Sequence, residues 1–183
     1  MTERQYQNAA KAFLDRLYGE VEVQWYPFRG HGRRIYGPVV DIAVGPFAVE
    51  RRYGPRYTEL LEETQSFIER LIEKHNQNVE NNEERTSFER ILYANENARC
   101  LLCIEVEDTG TEKHCLGNLV NASALGRIGV LVARSEHVLN TFLRQRVYFH
   151  YLTEVGKNSF RTDNALVLTA EQFDECLGSI RPL

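Results

Sequence analysis

Apolar residues follow two kinds of spacing along this chain, and the alternation between them predicts its elements. Between residues 3 and 18, Ala9, Ala10, Phe13, Leu14 and Leu17 recur at helical spacing, and Gly19 offers a C-terminal stop. Glu20-Val21-Glu22-Val23-Gln24-Trp25 alternates with period two and reads as a strand. Gly30-His31-Gly32 supplies a turn. Ile35 to Val44, bounded by Gly and Pro and rich in β-branched residues, then reads as a second strand forming a hairpin with the first. Residues 57 to 80 predict a helix with Leu60, Leu61, Phe67, Ile68, Leu71 and Ile72 on one side. From Glu73 to Asn97 the chain is very polar, with one short helix expected from about Ser87 to Asn95. Within it, Asn76 to Thr86 has only Val79 to bury and is expected to be loosely held.

The second half is more regular. Cys100 to Glu107 is a strand, and Asp108-Thr109-Gly110-Thr111 is a turn whose threonines can cap a helix from Glu112 to Leu125, closed by Gly126. Ile128 to Ala133 is a buried strand, and Ser135 caps a long helix reaching about Val155. A strand follows at Ala165 to Leu168, then a final helix from Ala170 to Leu177. A strand, helix and strand over 101 to 133 imply a right-handed parallel crossover. The fold class is α/β: a single domain with a mixed β-sheet flanked by helices, a helical insertion at about 57–97 and a C-terminal helical layer.

Two strands carry acids where apolar residues are expected. In Cys100-Leu101-Leu102-Cys103-Ile104-Glu105-Val106-Glu107, side-chain alternation puts Glu105 and Glu107 on one face, roughly 7 Å apart along the chain, with Leu101 and Cys103 on the same side. Like charges this close raise the cost of ionising each other, and a hard divalent cation removes that cost. Asp41 sits between Val40 and Ile42 in the second strand, where an unpaired carboxylate is expensive. Taken singly, the acids read as a solvated face paired with Arg or Lys, or as an Asp bonded to backbone amides. Their co-occurrence favours a metal site.

The 183 residues suit one domain, and 43% hydrophobic with 26% charged residues is ordinary for a globular protein. No apolar run approaches a membrane span, and Met1-Thr2-Glu3-Arg4-Gln5 lacks a signal-peptide pattern, so an intracellular, cytoplasmic protein is expected. A net charge of −4 excludes a uniformly basic protein but leaves room for local basic surfaces around Arg33 and Arg34. Cys100 and Cys103 have the CxxC spacing of zinc sites. Residues three apart on a strand point to opposite faces, however, and no second pair completes a site, so four free, buried cysteines are expected.

This order of elements, with acids at these points, resembles the core of the restriction-endonuclease-like nucleases, the PD-(D/E)XK superfamily. The resemblance covers about residues 3 to 133 and implies an αβββαβ core. The family motif places Asp on the second strand, often after Pro, and Glu-x-Lys on the third. Pro38 here lies three residues before Asp41, Glu105 matches the motif Glu, and Glu107 stands where Lys is usual. The resemblance implies phosphodiester hydrolysis of DNA, in a restriction, other defence or repair role, with one or two Mg²⁺ ions and Mn²⁺ as a substitute. Asp41, Glu105 and Glu107 would be the ligands, Glu107 alternatively the base, and Lys113 the group stabilising phosphate charge.

Arg33 and Arg34 at the hairpin tip read as a phosphate clamp or an ordinary charged loop. His114, Asn118 and Asn121 form a polar stripe on one helix, facing either substrate or water. Glu20 and Glu22 are weaker ligand candidates. A palindromic target would call for a twofold homodimer, through the helical insertion or the helix at 136 to 155. The contrasting reading is a catalytically silent nuclease-like scaffold acting as an interaction protein, which the Glu at the Lys position and the acidic net charge favour.

Overall fold

The computed structural model describes residues 1–29, 37–50 and 52–180. Helix α1 (Glu3–Tyr18) opens with Thr2, whose hydroxyl accepts from Gln5 N while the Gln5 side chain accepts from Thr2 N, and it ends at Gly19 with φ +69°. Strands β1 (Val21–Trp25) and β2 (Val40–Val44) pair antiparallel, Val21 opposite Val44 and Trp25 opposite Val40. Residues 37–39 of the expected second strand lie outside β2, and Asp41 is its second residue. The glycine turn, His31, Arg33 and Arg34 lie outside the described residues.

The helix expected over 57 to 80 is two helices, α2 (Gly54–Glu63) and α3 (Gln65–Asn78). They meet at Thr64, whose hydroxyl donates to Leu60 O at 2.6 Å and bonds Tyr18 Oη at 3.1 Å. A short 3₁₀ turn (Asn82–Glu84) and α4 (Phe88–Leu92) complete the insertion. Then follow β3 (Cys100–Glu107), α5 (Glu112–Leu125), β4 (Gly126–Ala133), α6 (Glu136–Glu154), β5 (Ala165–Thr169) and α7 (Ala170–Gly178). Thr111, Ser135 and Thr169 cap α5, α6 and α7 as N-cap residues.

The five strands form one sheet in the order β1-β2-β3-β4-β5. Strand β2 runs antiparallel to both β1 and β3, while β4 is parallel to both β3 and β5. Strand alternation splits the core in two. Ile42, Val44, Leu102, Ile104, Val106, Val130 and Val132 pack against α1, α2, α3 and α7, while Ala43, Cys103, Leu131 and Val167 pack against α5 and α6. Helix α5 sits so close that a Cβ at Gly129 would come 2.8 Å from the Ala122 backbone. Glycine at that strand position is what permits the approach.

Two expectations fail inside β3. Cys100 and Cys103 are both in the α5-side cluster, and Leu101 packs on the opposite side with Leu102. The register with β4 is constant through Cys100–Gly126 and Leu102–Ile128, and alternation between the two faces begins only at Leu102. All four cysteines are free and buried, as expected.

The polar stretch after α3 also departs from expectation, because it is tied down. Nδ1 of the buried His75 accepts from Val167 N at 3.1 Å, and Asn78 donates to Val167 O at 3.0 Å. Together they occupy the outer edge of β5, which would otherwise be open to pairing. Burial first, and then Arg146, push His75 down to about 3, which keeps the ring neutral. Asn76 exchanges hydrogen bonds with the backbone of Thr86, and Glu84 is buried against Arg146 at 2.9 Å and His150 at 2.6 Å. Among the described residues no helix is long and apolar enough to cross a membrane.

Candidate functional site

The acids gather where β2 begins and β3 ends. Asp41 and Glu105 stand on adjacent strands, and the ladder between them closes through side chains. Asp41 N donates to Glu105 Oε2 at 3.3 Å, and Val106 N donates to Asp41 Oδ2 at 2.8 Å. Asp41 Oδ1 accepts from Gln7 Nε2 at 2.9 Å and from Gln24 Nε2 at 3.0 Å. Gln24 reaches it from a backbone in the left-handed region, with φ +55°. Glu3 joins from the far side of Gln7, its carboxylate accepting from the same Nε2 at 2.9 Å.

Burial dominates the electrostatics. It lifts the Asp41 carboxyl to about 6, against which the hydrogen bond from Val106 works; Glu3, and less strongly Glu107, add to the rise. Glu105 is 3% exposed and is pushed well above the ordinary carboxylate range, by burial first and by Asp41 second, while the Asn121 side chain favours the charged form. Its Oε1 is buried with no hydrogen-bond partner among the described residues. An idle buried carboxylate oxygen beside a second acid takes either a proton or a cation.

Glu107 shares the α5 side with Glu105, as alternation predicts, but its oxygens are engaged. Oε1 accepts from Thr109 N at 3.1 Å, Thr109 Oγ1 at 3.3 Å and Gly110 N at 3.1 Å; Oε2 accepts from Asn118 at 3.1 Å. These bonds fold the chain back tightly after β3, with Gly110 at φ +56°, where a Cβ would strike Val138. Glu107 thus holds the turn that launches α5.

The polar stripe of α5 is partly engaged. Asn118 bonds Glu107 and Asn121 favours the charged form of Glu105, whereas Lys113 and His114 are exposed and bond neither acid. Glu22 is exposed and opposite Ala43, and Glu20 lies over Gly45; neither bonds the acids. Among the described residues, no group of three or more His, Cys, Asp or Glu is arranged to hold a metal ion. The three-acid ligand set is therefore not formed, and the fit to a cation rests on Asp41 and Glu105. Mg²⁺ is commonly held by one or two carboxylates with water completing its shell, so two acids with an idle oxygen suit it.

Gln7 and Gln24 were absent from the expected set. Gln7 is fully buried, three residues before Ala10 and seven before Leu14 on the packed stripe of α1, and that spacing is the signal that marks it. Comparison with protein-family models, with curated proteins and with solved structures finds no match to this chain.

Proposed function

We propose that the chain is a Mg²⁺-dependent phosphodiesterase acting on DNA, on a restriction-endonuclease-like core, in a defence or repair role inside the cell. The observation that carries the reading is the interlocked pair of half-buried Asp41 and buried Glu105, two carboxyls with raised pKa values and one oxygen left without a donor. The order of α1, β1, β2, β3, α5 and β4, with β4 parallel to β3, supports the expected αβββαβ core. Asp41 and Glu105 would hold the ion, which when bound supplies an activated water and stabilises charge on the phosphate and leaving oxygen.

The chain's own residues do the positioning. Gln7 and Gln24 fix Asp41 from two elements, and the Asp41 backbone amide orients Glu105. Glu107 serves the turn and Asn118, so its part is to hold the end of β3 in place. Lys113 and His114 are the exposed groups available to a substrate phosphate. A second copy of the chain would dock through α6, which exposes Val147, Tyr148 and Tyr151.

A second reading, a silent scaffold that binds a partner, is favoured by the neutral amides that satisfy Asp41 and by the engagement of Glu107. Thermal melts separate the two. A ligand bound only by the folded state must raise the melting temperature. Mg²⁺ or Mn²⁺ at constant ionic strength is expected to stabilise the wild type and not Asp41→Asn. Equal melting curves with and without metal would favour the scaffold.

A further inference from the structure

Arg127, the second residue of β4, is 1% exposed and packs beneath α2 and α4. Its Nη2 donates to Thr58 Oγ1 at 3.1 Å and to Leu92 O at 2.6 Å. Its Nε and Nη1 are buried and have no hydrogen-bond partner, and no carboxylate among the described residues forms an ion pair with it. A guanidinium stays charged in proteins, so this is a buried cation with idle donors and no carboxylate in ion-pair contact among the described residues. Burial depresses its pKa, and Glu96, at the rim, is the acid that opposes that effect most.

The guanidinium lines a cavity of about 460 Å³ shared with Arg52, Gly54, Pro55, Thr58, Tyr93 and Glu96. Gly54 is the first residue of α2, a helix whose cap residue Tyr53 contributes no side-chain hydrogen bond. The first helical bond runs from Tyr57 N to Tyr53 O, so the positive end of α2 opens on the cavity without a side-chain cap. Two arginines and an uncapped helix N-terminus therefore converge on one space.

We propose that this cavity is a second site, one that binds the phosphate group of a small phosphate-bearing ligand. Three terminal phosphate oxygens can take the Arg127 guanidinium, Arg52 and the Gly54 amide together, Pro55 having no N–H to add, which a carboxylate with two oxygens cannot. Tyr93, 60% exposed at the rim, offers an aromatic face to a base. The site is separate from the acids, because Arg127 starts β4 while Glu105 and Glu107 lie toward the other end of the adjacent strand, roughly 13–20 Å along the sheet.

The test is a thermal-shift and calorimetric titration of the full chain with inorganic phosphate and with a nucleoside 5′-monophosphate, against chloride at matched ionic strength. The wild type is expected to melt at rising temperature as either phosphate compound is added. Arg52→Glu should weaken binding at least tenfold, Arg127→Met should remove it, and Asp41→Asn should leave it unchanged. Tighter binding of the nucleoside monophosphate assigns the source as a nucleotide; equal binding assigns it as free phosphate. No shift with either compound overturns the proposal, as does binding undiminished by Arg52→Glu. That exposed rim variant decides the matter if Arg127→Met fails to fold.

Discussion

Asp41 is pulled two ways at a single carboxyl. Three N–H donors favour its charged form, while burial lifts it from an ordinary 3.8 to about 6. The folded state therefore binds its proton more tightly than the unfolded chain does. Its contribution to stability is full below about pH 4 and is lost as pH rises through 6. Two pK units correspond to ~3 kcal/mol, which screening at this partly exposed residue reduces to about 1–2 kcal/mol. Urea unfolding without divalent metal should show wild-type stability falling between pH 4 and 7 by that much more than in Asp41→Asn. Parallel profiles would contradict the raised pKa. Glu105 has the same sign and remains in both proteins. Placing Asp41 beside Glu105 needed only two apolar strands with acids inside them. The bonds from Gln7 and Gln24 were not legible, because they depend on how α1 and β1 cross the end of β2.

Period-two and period-3.6 spacing located most strands and helices, since each presents one face to a core. The boundaries and the polar insertion were harder. The start of β2 and the break at Thr64 are set by partners distant in sequence, among them Tyr18. The stretch from Asn76 to Thr86 has a composition that suggests a loose loop, yet Glu84 bonds Arg146 and His150, 62 and 66 residues away. Local composition cannot report such a pairing. Glu84→Ala should cost about 3–5 kcal/mol, because it leaves the buried Arg146 without its counter-charge. Hydrogen exchange of residues 76–86 should slow in the wild type and speed up in this variant. Fast exchange in both would restore the loose-loop reading. Gly129→Ala should cost about 1–3 kcal/mol by forcing α5 away from β4, and a melting temperature unchanged from wild type would show that the gap can relax.

Across the whole molecule, the sheet separates two kinds of charge. The carboxyls sit where β2 begins and β3 ends, and the unpaired Arg127 sits at the opposite end of the parallel pair. The parallel β3–α5–β4 unit links the two, with α5 holding Glu107 through Asn118. Fold class and the acid positions were both legible from spacing. The three-ligand set was not realised, because the turn after β3 takes up Glu107. Restoring the residue usual in the resembling family, Glu107→Lys, should lower stability by removing the acceptor of four hydrogen bonds. The most direct measurement is cleavage of supercoiled DNA by purified protein with Mg²⁺ and with chelator, wild type beside Asp41→Asn. Nicked or linear product should appear with Mg²⁺ in the wild type alone. Intact DNA in every lane, or equal cleavage by Asp41→Asn, would contradict a hydrolytic site built on Asp41 and Glu105.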